Sequence, residues 1–195
     1  MPKPVIILVN GLPATGKTTI ATKIAGHLQW PIFRKDDIKE QLADRLNEFN
    51  LESSHRLGLV SRVMLRYITE QLSRSNSNFI IDSNFSNGVQ TDEFINMMKN
   101  ARHRIIEVFL HTDGEVLYER FRDRIKDRHP IHLEHFQGFE DFRETISKGS
   151  LQPLSLDGIV IRVDTTDFSK LDESKLLEEI KNSLNNIYEH NSDWI

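Results

Sequence analysis

The sequence predicts an α/β protein in which a mainly parallel five-stranded sheet lies between two layers of helices. Three observations carry this expectation. Short apolar runs at 5–9, 79–81, 105–110 and 159–163 alternate with longer segments of helical periodicity. The runs are apolar at nearly every position, as strands covered on both faces must be. The first run leads through a glycine-bearing turn into a helix, so strand, loop and helix follow one another directly.

That turn is Gly11-Leu12-Pro13-Ala14-Thr15-Gly16-Lys17-Thr18. Its glycine spacing lets successive backbone N–H groups converge on one anion, and the following helix adds its positive end. Lys17 can reach the β and γ oxygens of a nucleotide, and the Thr18 hydroxyl can ligate Mg²⁺. Thr19 extends the phosphate-facing helix start. With strand and helix on either side, the stretch reads as a P-loop, and the three-layer α/β/α sheet as a P-loop NTPase fold.

The remaining elements follow in order. The first helix starts near Lys17 and aligns Ile20, Ile24 and Leu28. A short strand at 30–33 precedes Arg34-Lys35-Asp36-Asp37-Ile38-Lys39, where an aspartate is suited to cap a helix through Leu42 and Leu46. A long helix at 52–73 sets Leu57, Val60, Met64, Leu65, Ile68 and Leu72 on one stripe, expected to be its core face. The strand at 79–82 ends on Asp82. A helix at 90–100, a strand at 105–110 and an arginine-rich helix at 115–126 come next. The polar segment 127–157 reads as a lid with short helical stretches around 139–146. A strand at 159–163 and a helix at 171–188 close the chain.

Bulk composition narrows the functional classes. One domain spanning 1–195 is expected from 195 residues, of which 38% are hydrophobic and 28% charged. A net charge of −4 speaks against a broad duplex-binding surface, while a short basic groove for an oligonucleotide stays open. The chain has no cysteine, which excludes disulfides and thiolate zinc sites and fits a cytoplasmic location. The opening apolar run is too short for a signal-peptide core, and no run reaches membrane-spanning length.

Ligands on a parallel sheet bind beyond the carboxyl ends of its strands, so Asp36, Asp82 and Thr165 should gather near the glycine loop. Asp82 occupies the place of a Walker-B acid that helps hold Mg²⁺. Ser83 follows it where many ATP hydrolases carry a glutamate. Asp36 or Asp37 can align an acceptor hydroxyl and take its proton, and capping is their structural alternative. Arg120 and Arg124 share a helical face and can clamp a transferring phosphoryl group. Arg122 and Arg128 belong to the same cluster, and Glu119, Asp123 and Asp127 support a solvated ion-pair reading instead. His129, His132 and His135 read as lid or acceptor contacts more readily than as a zinc site. Thr165 can line the nucleotide base.

On these residues the chain resembles the P-loop kinase branch containing bacteriophage polynucleotide 5′-kinase, chloramphenicol phosphotransferase, zeta toxins and gluconate kinase. The resemblance rests on the Gly-x-Pro start of the loop, Lys35-Asp36-Asp37-Ile38-Lys39, Asp82-Ser83-Asn84 and the Arg120/Arg124 pair. It implies Asp36 as general base, Lys39 at the acceptor's phosphate and Arg124 at the donor phosphates. Lys39 stands where the polynucleotide kinases have arginine, Ala14 where these kinases usually have glycine, and no phosphatase domain is expected after the kinase unit. The reading is an ATP- and Mg²⁺-dependent transfer of the γ-phosphoryl group to a small-molecule hydroxyl, with Arg128, His132 and Lys39 on the acceptor. A polynucleotide 5′-hydroxyl kinase, an NTP hydrolase and a non-catalytic nucleotide-binding module are the alternatives.

Overall fold

The computed structural model describes residues 4–85, 89–100, 103–132, 143, 144, 146, 149 and 151–189. In chain order the elements are β1 (Val5–Gly11), α1 (Lys17–Leu28), β2 (Ile32–Arg34), α2 (Lys35–Leu46), α3 (Leu51–Ser73), β3 (Phe79–Asp82), α4 (Val89–Lys99), β4 (Arg104–His111), α5 (Gly114–Asp123), β5 (Ile159–Asp164) and α6 (Glu173–Glu189). The five strands form one wholly parallel sheet in the order β2-β3-β1-β4-β5.

Both faces of this sheet are buried, and strand β1 shows why its run is unbroken. Val5, Ile7 and Val9 pack with Ile20 and Ile24 of α1 and with Leu176, Ile180 and Leu184 of α6. Ile6 and Leu8 point the other way, toward Leu65 of α3 and Phe94 and Met98 of α4. Every strand therefore delivers its carboxyl end to one edge of the sandwich. That edge carries Gly11, Arg34, Asp82, His111 and Asp164, with Arg34 and Asp82 in register on neighbouring strands.

Several elements depart from the sequence-based expectation. Strand β2 begins at Ile32, and helix α2 starts directly behind it with extended Arg34 at the cap position and no capping side chain. Asp36 and Asp37 consequently lie inside the first turn. They face the positive end of the helix without capping it. Helix α3 is capped by Asn50, whose side chain accepts from the Ser53 N–H at 2.8 Å. Its buried face is made of Ser53, Ser54, Leu57, Gly58, Ser61, Leu65 and Thr69. Val60 and Met64, expected in the core, are exposed. Lys39, Ala43, Leu57 and Gly58 meet in the α2–α3 contact.

Helix α5 ends at Asp123, and the chain tightens into a 3-10 turn over Arg124–Asp127. The segment 127–157 is not uniform. His135 and most of the helical stretch expected around 139–146 lie outside the described residues. The last part is docked: Thr112 N–H donates to the Gly149 carbonyl, and Leu154 is buried with its N–H on Glu107. That end of the expected lid belongs to the body of the sheet. Among the described residues no helix is long and apolar enough to cross a membrane.

Candidate active site

The glycine loop joins β1 to α1 through two unusual backbone positions. Gly16, immediately before the helix, has φ 86°, and a Cβ there would stand 2.2 Å from the Phe168 ring. Ala14 also adopts a positive φ, 69°. A Cβ makes this region costly for an alanine, so the loop stores a small strain at this position. Lys17 Nζ donates to the Leu12 carbonyl at 2.8 Å, folding the lysine back over its own loop.

Five charged groups share this edge of the sheet and act on one another electrostatically. They are Lys17, Asp36, Asp82, Arg124 and Arg128. Burial pushes the Lys17 ammonium down to about 8, against the opposing pull of Asp82 and Asp36. Burial, reinforced by Arg128, lowers Arg124 to about 10. A cluster of cations held at such cost is built to receive an anion.

Asp82 ends β3 and is buried. Its Oδ2 accepts from the Thr18 hydroxyl at 2.9 Å, and Arg34 Nε stands 3.8 Å away on the adjoining strand. Burial raises its pKa, while Lys17 and the Thr18 hydrogen bond pull it back. The paired hydroxyl and carboxylate oxygens are hard ligands of the kind Mg²⁺ takes, one from the loop and one from the strand.

Asp36 lies across from this pair. Its Oδ1 meets Lys35 Nζ at 3.0 Å and its Oδ2 meets Arg128 Nη2 at 2.8 Å. Burial opposes its charge, but Lys35, Arg128 and His132 together hold the carboxyl well below the usual carboxylate range. The side chain remains 44% exposed, so the anion keeps an open side toward incoming molecules.

Other candidates are placed differently from the expectation. Lys39 is 1% exposed and donates to Ser54 Oγ at 2.9 Å, beneath α3. The shared face of Arg120 and Arg124 splits at the 3-10 turn. Arg124 joins the charge cluster, whereas Arg120 donates to the Thr165 and Thr166 carbonyls at 2.6 and 2.8 Å and lies 4.8 Å from the Phe168 ring centre. Arg120 therefore holds the loop that packs on Gly16. Arg122 pairs with Glu119 and Asp123 on the exposed side, as the ion-pair reading had it. The Thr165 hydroxyl is buried against Thr112 Oγ1 at 2.7 Å.

His132 is buried with Nε2 at 2.8 Å from Glu40, and His129 lies 3.0 Å from Asp44. Each histidine ties the segment after α5 to the outer side of α2. Among the described residues no group of three or more metal-ligating side chains occurs.

Two contributors carried no motif. Asn10 Oδ1 accepts from the N–H of Gly11 and of Phe85, joining the start of the glycine loop to the turn after Asp82. Glu107 in turn accepts from Asn10 Nδ2 at 2.9 Å. A polar side chain inside two otherwise apolar strands was the one available signal, and it gives no partner.

The AAA domain family matches residues 6–146, which run from β1 past the arginine helix. The chain belongs to this AAA domain family. A comparison with curated proteins returns no match. Among solved structures, one described as a "putative kinase" from Chloroflexus aurantiacus j-10-fl is 31% identical, with a TM-score of 0.83 over 93% of this chain and 98% of that one. The Mycobacterium tuberculosis APS kinase CysC, in complex with AMPPNP and APS, gives 0.57 at 14% identity, covering 95% and 99% of the two chains. A gluconokinase from Sinorhizobium meliloti 1021 gives 0.53 at 15% identity, covering 98% and 96%. The protein thus has the fold of the P-loop kinases.

Proposed function

We propose that this protein is an ATP- and Mg²⁺-dependent kinase that moves the γ-phosphoryl group to a hydroxyl of a small molecule. The observation that carries the reading is the gathering of Lys17, Arg124 and Arg128 with Asp36 and the Thr18–Asp82 pair at one end of the sheet. A phosphate site alone asks for the cations. A carboxylate opposite them, held ionised and open on one side, is what an acceptor hydroxyl needs.

The roles follow from position. The N–H groups of residues 11–18 and Lys17 bind the donor phosphates, and Thr18 and Asp82 would hold the metal. Mg²⁺ supplies charge neutralisation on the phosphate oxygens. Arg124 stands where negative charge spreads as the phosphoryl group moves. Asp36 accepts a hydrogen bond from the acceptor hydroxyl and orients its oxygen. As the oxygen–phosphorus bond forms and the β–γ bridging bond breaks, the hydroxyl proton passes to Asp36 and ADP leaves. A carboxylate of depressed pKa is a weak base, so this proton moves late, which suits a loose phosphoryl-transfer transition state.

Burial of Lys39 favours a small acceptor over a phosphorylated oligonucleotide, because it withdraws the cation expected at that phosphate. The test is an acceptor screen with labelled ATP across sugars, nucleosides, antibiotics and short oligonucleotides, read by mass. One small-molecule hydroxyl should become phosphorylated, and D36N should lose that transfer while still binding ATP. Transfer to oligonucleotides alone, or ATP turnover that no acceptor accelerates, would overturn the proposal.

A further inference from the structure

Helix α3 wears its hydrophobicity on the wrong side for a helix that serves only its own core. Its inner face is mostly Ser, Thr and Gly, while Leu59, Val60, Val63, Met64 and Tyr67 stand 39–62% exposed. The inner polar groups are content where they are: the Ser61 and Thr69 hydroxyls donate to carbonyls one turn back. Five large apolar side chains on one solvent-facing stretch of one helix form a patch of the kind that marks an association surface.

The residues around this patch are symmetric in a way that selects the occupant. Four residues either side of Val63 come Leu59 and Tyr67, seven either side come Arg56 and Glu70, and eleven either side come Glu52 and Arg74. These spacings keep all seven positions on one face of an α-helix. Leu59, Val63 and Tyr67 make an apolar centre, and each flank carries one acid and one base.

We propose that α3 pairs antiparallel with α3 of a second copy of this chain, about a two-fold axis at Val63. The axis lays Leu59 on the second copy's Tyr67, Arg56 opposite its Glu70 and Glu52 opposite its Arg74. A parallel pairing would set Arg56 against Arg56, so the charges choose the direction. The contact is isologous, as a closed two-fold dimer requires. Within one chain Arg56 already pairs with Glu48, and Glu70 with Arg74 at 2.7 Å. Exposed pairs of this kind are worth little and can extend into four-charge clusters at small cost. Val63 and Arg66 also line the cleft that reaches Ser83 and Asn84 beyond Asp82, so pairing walls that cleft on its outer side.

Light scattering on a sizing column and sedimentation of the full chain, from about 1 to 100 µM, test this. The expected mass is about twice the 22.7 kDa of one chain, and V63D, an exposed position whose fold is checked by circular dichroism, should run as a monomer. R56E and E70R should each associate about tenfold or more weakly than the parent, because each sets like charges opposite one another. An equimolar mixture of R56E and E70R should recover the dimer, since both contacts across the axis become complementary again. A parent protein that stays at 22.7 kDa throughout, or a dimer indifferent to V63D and to both charge reversals, overturns the proposal.

Discussion

Arg128 Nη2 sits 2.8 Å from Asp36 Oδ2, so the residue following the 3-10 turn holds the carboxylate proposed to receive the acceptor's proton. With Lys35 on the other oxygen, Asp36 is oriented and kept charged before any acceptor arrives. A group fixed in this way costs less to order at the moment of reaction.

Replacing that partner should be visible in a pH profile. Arg128 is one of the charges that depress the Asp36 pKa, so R128A lets it rise. The acid limb of kcat/KM, lost as pH falls through the Asp36 pKa, should move to higher pH. Initial rates followed from pH 7 down to the lowest pH at which both proteins stay folded check this, and a parent and variant with superimposable profiles would detach Asp36 from the proton transfer. D36N itself should lower kcat by roughly 10²–10⁴ with nucleotide affinity retained.

Lys17 gives a prediction of the opposite sign. Its pKa is lowered to about 8, so in the ligand-free protein the cation is lost as pH rises through that value. ATP affinity should therefore fall between pH 7 and 9.5, and calorimetric titration of K17M should show weak binding with the slope gone. The same lowering means that burying the protonated lysine opposes folding below its unfolded pKa of 10.5. Ligand-free K17M should accordingly be more stable than the parent at pH 7, by about 1–3 kcal/mol, and the gain should shrink toward pH 10. Denaturant melts at the two pH values measure it.

Gly16 should tolerate no side chain without loss. Alanine there must adopt φ 86° and push the Phe168 ring, which approaches the Cβ position to 2.2 Å. The ring can swing because it is partly exposed, so the expected cost is the strained backbone, about 1–2 kcal/mol. Displacement of Phe168 should also loosen the loop that Arg120 holds. Thermal melts of G16A, with and without ATP, would show both a lower Tm and a smaller nucleotide-induced rise.

Glu107 joins β4 to the loop network through Asn10 and to the chain at Leu154. In E107Q one carboxylate oxygen becomes a second donor facing donors. The variant should lose about 1–3 kcal/mol of stability by leaving a buried group unsatisfied. Through Asn10, whose Oδ1 holds Gly11 and Phe85, it should also raise KM for ATP more than it lowers kcat. A KM left at the parent value would confine Glu107 to a packing role.

The parallel sheet, the glycine loop and the acid closing β3 were legible in the sequence because each rests on a local pattern. A short unbroken apolar run bounded by turn residues fits a doubly covered strand, and glycines between such a strand and a Lys-Thr helix start fit a phosphate cradle. Which arginine faces the cleft was not local. Arg120 and Arg124 are one helical turn apart, and a change of winding at Asp123 sends one to a backbone loop and the other to the charge cluster. Lys39 reads as a cation for the acceptor's phosphate until α3 is laid over it. The stripe read along α3 is split by the fold, which turns Leu57 and Leu65 inward with serine, threonine and glycine and leaves Val60 and Met64 outside. Chain chemistry thus determined where the glycine loop and its helix start lie. Packing between elements distant in sequence decided which side chains join the charge cluster, because a helix pattern specifies a face without specifying what that face will meet.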